Sequence, residues 1–354
     1  MAFIYEHILR PCLFQLETEK AHDFGVNSLE IIGRSRLARA TLKYFLHTKT
    51  EPVRVFGLSF PNVIGQAAGL DKDGRFPAAS EALGFGHTEV GTVTPLAQSG
   101  NEKPRLFRLP AEEALVNRMG FNNLGAENLV KNLEKGYPQK ARSAPLGINI
   151  GKGRETPLDC ALDDYRKSFN IVAEQADYIT VNISSPNTPE LRNLHHEEHL
   201  LPFLKGIKDT RKEWASRNNR VCPPCLIKIS PDEDFKCIEN IIGLISDLGF
   251  DGVIACNTST NHSLLNHSRT KIPGGISGKP IGFQASNIIR FISKLTSGNL
   301  PIIGCGGVYN YDSAQEKLDA GASLLQIYTG FIYKGPCLPK ELSLSLSKQN
   351  NLLI

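Results

Sequence analysis

No apolar run in this 354-residue chain approaches the ~18 residues that a helical membrane span needs, so the sequence is not expected to cross a bilayer. It also lacks a basic stripe interleaved with aromatics. Its 40 Lys and Arg against 36 Asp and Glu leave a net charge of +4 dispersed along the chain, which argues against a nucleic-acid partner. The start, MAFIYEHILR, places Glu6 inside its apolar stretch and has neither a signal-peptide cleavage pattern nor an Arg-rich transit character. The eight cysteines (12, 160, 222, 225, 237, 256, 305 and 337) are therefore expected to be reduced thiols in an intracellular protein. Cys222-Pro-Pro-Cys225 is a close pair, but no second pair and no nearby histidine completes a zinc site, and the segment runs directly into Leu226-Ile227. A structural role is expected there, and no metal.

With 41% hydrophobic and 21% charged residues the chain has the composition of an ordinary globular protein with a large core. Its first 50 residues differ in pattern from the remainder. Phe3, Ile4, Ile8, Leu9, Leu13, Phe14 and Leu16 recur at threes and fours, and Phe24, Leu29, Ile31, Ile32, Leu37, Leu42 and Phe45 do so again. Two amphipathic helices are expected. Residues 31–50 carry Arg34, Arg36, Arg39, Lys43 and Lys49 and no acidic side chain, a pattern that suits an anionic membrane surface or a helical pair packed on the main domain.

From residue 52 short apolar strands alternate with helical stretches: 62–68, 87–93, 146–150, 178–183, 226–229, 252–256, 302–305 and 324–327. Eight strands joined by crossover-sized segments imply a parallel sheet, and eight is the number that closes a (β/α)8 barrel. Val53–Phe60 reads as part of a hairpin capping the barrel bottom, and 103–123 as a long excursion after the second strand. The expected domains are a helical segment, 1–50, and a barrel, 51–354.

Period-2 alternation assigns directions to the strand residues. Ile179, Val181 and Ile183 would face the outer helices, leaving Tyr178, Thr180, Asn182 and Ser184 toward the barrel axis; by the same phase Asn149 and Lys228 point inward. These polar residues lie at the C-terminal ends of their strands, where such barrels build active sites, and a lysine there needs an anionic or hydrogen-bonding partner. Lys72 in AAGLDKDG and Asn257-Thr258 join them at neighbouring strand ends. The glycines of GGISGKP, GCGGV and IYTG expose backbone over the last third of the barrel, where phosphates are commonly held. A phosphate-bearing cofactor is expected.

These residues fall in blocks that resemble a known family. GLSFPNVIGQAAGLDKDG, EVGTVTP, KPRLFRLP, NRMGFNN, GINIGK, VNISSPNTPELR, KISPD, NTST, PGGISGKP and LLQIYTGFIYKGP, spanning about residues 52 to 337, are similar to the dihydroorotate dehydrogenases of the quinone-dependent, membrane-associated class (class 2). The resemblance implies FMN held by Ala68, Gly69, Lys72, Thr92, Asn149, Asn182, Lys228, Gly278, Gly307, Tyr328 and Thr329, with Cys256 at a position where members of the class carry threonine. It implies dihydroorotate or orotate bound by Lys72, Asn117, Arg118, Met119, Gly120, Phe121, Asn182, Asn187, Asn257 and Thr258. Strand phase alone favours Ser184 as the inward hydroxyl, whereas the resemblance makes Ser185 the general base, relayed by Thr188 or a water. Soluble members generally carry cysteine there and lack the N-terminal helices. The helices then imply a mouth for a membrane quinone, with His22 and Arg105 near its head, and a peripheral protein on the cytoplasmic side of a bacterial inner membrane. The competing expectations are a soluble flavin-dependent pyrimidine oxidoreductase and a non-catalytic flavin- or phosphate-binding protein.

Overall fold

The computed structural model describes residues 2–266 and 272–350. Among these residues thirteen strands are present. The hairpin β1 (Val53–Val55) and β2 (Leu58–Phe60) precedes the barrel strand β3 (Ile64–Gln66). Next come β4 (His87–Val93), the excursion strands β5 (Leu106–Leu109) and β6 (Ala114–Asn117), β7 (Leu146–Ile150), β8 (Tyr178–Asn182), β9 (Cys225–Lys228) and β10 (Gly252–Ala255). The last three are β11 (Gly275–Gly278), β12 (Ile302–Cys305) and β13 (Leu324–Ile327). Eight of them close into a parallel barrel in the order β3-β4-β7-β8-β9-β10-β12-β13, so each expected barrel strand is present.

The β-branched and leucine side chains explain both layers. Ile148, Ile150, Ile179, Val181, Ile227 and Ile229 are fully buried outside the barrel against its helices. Tyr178, Leu226, Ile254, Ile303 and Leu324 fill the bottom of the interior, where Val55 and Phe60 of the hairpin plug it. Cys225 is buried in β9 and its thiol is pushed up to about 12 by desolvation, which fits the structural role expected of the Cys222–Cys225 segment.

Two expectations change. β11 pairs antiparallel with β6, register Gly275↔Asn117 to Gly278↔Ala114, so GGISGKP, expected only to expose glycine backbone, also supplies the edge strand of a three-stranded sheet. Its pairing partner lies some 160 residues earlier, beyond the reach of local pattern reading. The N-terminal region also holds more than two helices. A helical run through Ala2–Ile4, Tyr5–Leu9 and α1 (Arg10–Gln15) is followed by α2 (Thr18–Arg34) and α3 (Arg36–Leu46). Ser35 breaks what reads as one periodic stretch: its extended backbone leaves α2, and its Oγ accepts from the Ala38 N–H at 3.2 Å to cap α3.

Val26, Leu29 and Ile32 dock α2 on Leu70, Phe76 and Ala79 of the barrel. The opposite faces stay open: Ile31 is 70% exposed, Leu37 79% and Tyr44 83%. Among the described residues, no helix is long and apolar enough to cross a membrane.

Candidate active site

A cavity with about 1090 Å³ of atom-free space, open on one side, lies over the C-terminal ends of the barrel strands and beneath the β5-β6-β11 sheet. Short strands followed by Gly-, Asn- and Pro-rich turns place its polar wall. Lys72 comes from the turn after β3, Thr92 from β4, Asn182 from the end of β8, Ser185 and Asn187 from the following turn, Lys228 from β9, and Asn257 and Thr258 from the turn after β10. Ala68, Gly69, Asn117, Met119, Gly120, Phe121, Cys256, Gly278, Gly307, Tyr328 and Thr329 also line it.

Four predicted residues do not. Asn149 is fully buried below the floor, with its amide already engaged at both ends. The Arg118 guanidinium turns outward to the Pro104 carbonyl, 2.9 Å away, so only the neighbouring residues of that excursion reach the cavity. Arg105 is buried, donating to Glu19 at 2.8 Å and to the carbonyls of Ser99 and Asn101, which fastens the excursion to α2. Burial would raise the Glu19 carboxyl, but Arg105 and Lys103 outweigh it and hold it below its usual value. His22 of α2 stands outside the lining yet close enough to Lys72 to feel its charge; desolvation first and Lys72 second push its pKa down to about 3.

Sequence reading missed the group that orders the floor. Glu89, fully buried on β4, accepts from Asn149 Nδ2 at 2.8 Å, Gln326 Nε2 at 2.9 Å, Thr180 Oγ1 at 3.1 Å and Tyr178 Oη at 3.2 Å. A carboxylate only accepts, so it fixes the direction of a relay. Asn149 must turn its NH2 down to Glu89 and its oxygen up, where Thr92 Oγ1 donates to it at 2.5 Å. Thr92 then accepts from Asn182 Nδ2 at 3.0 Å, leaving Asn182 Oδ1 to accept from Ser184 Oγ at 3.2 Å and Asn257 Nδ2 at 3.3 Å. The available signal was a glutamate at an inward position of the apolar strand HTEVGTV.

The two adjacent serines separate here. Ser184 is spent inside the relay, also accepting from Asn257 Nδ2 at 3.0 Å, whereas Ser185 faces the cavity. Ser185 Oγ accepts the Asn187 N–H at 3.3 Å, and nearby Thr188 Oγ1 is buried with no partner among the described residues. Asn101, also unanticipated, joins the two sides of the cavity by donating to the Arg118 carbonyl at 2.9 Å and the Asn187 carbonyl at 3.2 Å.

Charge and space define what the cavity can hold. Neither Lys72 nor Lys228 has an ion-pair partner among the described residues, and desolvation pulls the Lys72 pKa down. Part of the wall is bare glycine backbone. A Cβ on Gly307 would lie 2.2 Å from the Gly282 Cα, and one on Gly278 2.4 Å from the Glu113 carbonyl, so both positions require glycine. Two unpaired cations, a glycine wall and converging amides fit a ligand that carries phosphate at one end and carboxylate at another.

Comparison with known proteins agrees with this geometry. A family model described as dihydroorotate dehydrogenase matches residues 51–349. The chain belongs to the dihydroorotate dehydrogenase family. Its members are oxidoreductases, and the resemblance drawn from the sequence blocks holds over nearly the whole chain. A dihydroorotate dehydrogenase (quinone) from Chloroflexus aurantiacus is 43% identical over 350 residues, covering 97% of this chain and 96% of its own. One of the same name from Edwardsiella ictaluri is 47% identical over 337 residues, covering 94% and 97%. The crystal structure of the Eimeria tenella enzyme in complex with ferulenol superposes with a TM-score of 0.79 at 31% identity, covering 90% of this chain and 92% of that one.

Proposed function

We propose that this dehydrogenase oxidises dihydroorotate to orotate in de novo pyrimidine (UMP) biosynthesis, with FMN in the cavity as hydride acceptor and a membrane quinone as final electron acceptor. The observation that carries the reading is the meeting, in one cavity, of two lysines without carboxylate partners and the amides of Asn117, Asn182, Asn187 and Asn257 around Ser185. Amides carry donors and acceptors together, which matches the alternating groups of a cyclic imide, and Lys72 complements its carboxylate.

FMN, when bound, supplies the two-electron acceptor. The remaining work belongs to the chain's own groups. Ser185 takes the proton from C5 of dihydroorotate and passes it on toward solvent, through Thr188, whose buried hydroxyl has no partner among the described residues, or through a water. A serine is a weak base near neutrality, so turnover rises toward alkaline pH. Lys228, reaching the cavity from β9, sets positive charge where negative charge collects during turnover, and Lys72 regains a counter-ion when the substrate carboxylate arrives.

In this reading residues 1–50 form the quinone-access and membrane segment and 51–354 the catalytic barrel. His22, neutral and beside Lys72, and Arg105 lie on the side from which a quinone would approach. The exposed Ile31, Leu37 and Tyr44 support peripheral docking. So does a second cleft at the α2–α3 junction, where Arg34, Arg36, Arg39, Arg75 and Lys135 stand against the single carboxylate of Glu30. The corresponding location is the cytoplasmic side of a bacterial inner membrane.

The test is steady-state oxidation of dihydroorotate by flavin-loaded protein in mild detergent, with a short-chain ubiquinone and fumarate as parallel acceptors. Turnover with quinone and little with fumarate supports the whole reading. Turnover with fumarate alone keeps the barrel chemistry and removes the membrane role, and a flavin that dihydroorotate fails to bleach anaerobically leaves a binding protein.

A further inference from the structure

Behind the glycine wall stands a cation that the proposed reaction does not use. Lys317, on the helix α5 (Tyr311–Asp319) that comes after α4 (Gly282–Leu295), is fully shielded from solvent. Its Nζ donates only to neutral groups, the Gly282 carbonyl and Ser286 Oγ, each at 3.2 Å, and it forms no ion pair among the described residues. A buried ammonium without a counter-ion is costly, and desolvation lowers its pKa.

The surroundings say where a counter-ion belongs. Gly282 opens α4, a 14-residue helix whose first turn has no side-chain cap, and it packs directly behind Gly307. Gly307 lines the cavity together with Gly278 and Gly306, all three with left-handed backbones at φ between 74° and 110° that suit glycine. The thiols of Cys256 and Cys305 complete this wall and feel Lys317 from behind and Lys228 from within the cavity. What separates Lys317 from the cavity is glycine backbone and thiol, with no carboxylate among the side chains that line it.

We propose that Lys317 is the buried counter-charge of the flavin phosphate, acting through the first turn of α4 and the glycine wall without touching the phosphate, and supplying part of the preference for FMN over riboflavin. The inference rests on the flavin reading above. Lys317 is thus a positioning residue for the cofactor and takes no part in proton or hydride transfer.

The discriminating measurement is binding of FMN and of riboflavin, separately, to flavin-stripped full-length protein, followed by quenching of flavin fluorescence. In Lys317→Met the ratio of FMN to riboflavin affinity should fall about tenfold or more, the scale of one charge acting on a phosphate at an effective dielectric near 20, while riboflavin affinity stays within about twofold. Ser286→Asp sets a carboxylate against the same ammonium, retains the Lys317 side chain and should produce the same selective loss; it decides the matter if Lys317→Met does not fold. Parallel loss of both flavins in the variants, or an unchanged ratio, overturns the proposal in favour of a prop for the α4–α5 packing. Wild-type protein that binds neither flavin overturns the cofactor reading itself.

Discussion

Replacing Glu89 by leucine removes the acceptor that four buried donors share, while roughly preserving side-chain volume. The Tyr178 and Thr180 hydroxyls can rotate away from the lost acceptor. The amides cannot: Asn149 Nδ2 loses its partner, and Gln326 Nε2 keeps only a 3.3 Å contact to Tyr178 Oη. Each buried donor left unpaired costs about 1–3 kcal/mol, and hydrogen bonds to a charged acceptor lie at the upper end. Summed over two stranded amides and two weakened hydroxyls, with some return from relaxation, the expected loss is about 3–5 kcal/mol, a large share of the ~5–15 kcal/mol of a typical domain. Glu89→Gln should cost less, about 1–2 kcal/mol, because its oxygen still serves Asn149, while the new NH2 meets a Gln326 amide that can turn its oxygen inward and the Tyr178 and Thr180 hydroxyls must rotate away. Urea unfolding monitored by the fluorescence of the single tryptophan, Trp214, and by far-ultraviolet dichroism measures both. If the leucine variant lies within about 1 kcal/mol of wild type, or if the two variants are equal, then Glu89 does not organise the floor and the directional relay through Asn149, Thr92 and Asn182 is refuted.

Ser185→Ala should retain flavin and orotate binding but slow anaerobic flavin reduction by about 10²–10⁴-fold, read by stopped-flow absorbance; near-normal reduction would place the base elsewhere. Lys228→Ala should lower flavin content after gel filtration or slow its reduction, and unchanged values in both assays would remove Lys228 from the site. Deleting residues 1–45 should impair quinone turnover more than dihydroorotate-driven bleaching, and equal loss of both would make the helices a scaffold only. His87 is fully buried with neither ring nitrogen paired among the described residues, and desolvation holds its pKa down to about 3. The unfolded chain takes up that proton near pH 6.5 and the folded chain only near 3, so stability should fall as pH drops across this window, by a few kcal/mol. His87→Gln should flatten that slope in acid-unfolding titrations, and an unchanged slope would assign the acid sensitivity to other groups.

The barrel was legible because its strands alternate. Ile179, Val181 and Ile183 against Thr180 and Asn182 state their directions by period alone, and a parallel strand of four or five residues has little freedom to do otherwise. Most of the cavity wall came with it, since inward residues at the C-terminal ends of parallel strands must converge. The distinction between Ser184 and Ser185 was not set by phase, because it depends on a turn after the strand has ended, where two prolines redirect the chain. The pairing of β11 with β6 was invisible because its two halves are far apart in sequence and each looks like a loop alone.

Fold class, the polar lining of the site and an N-terminal amphipathic segment were readable from the residues, because these depend on local periodicity and residue chemistry. Folding settled which polar groups face the cavity. Asn149, Arg105 and Lys317 are as polar in sequence as Asn182, Lys72 and Lys228. Yet Asn149 is held below the floor by Glu89, Arg105 is bound to Glu19 and Lys317 is walled off behind Gly282, whereas Lys72 and Lys228 reach the cavity without carboxylate partners and Asn182 lines it even with its amide engaged in the relay. Hydrogen-bond capacity belongs to a residue, but whether it is already used depends on neighbours that only folding brings within about 3 Å.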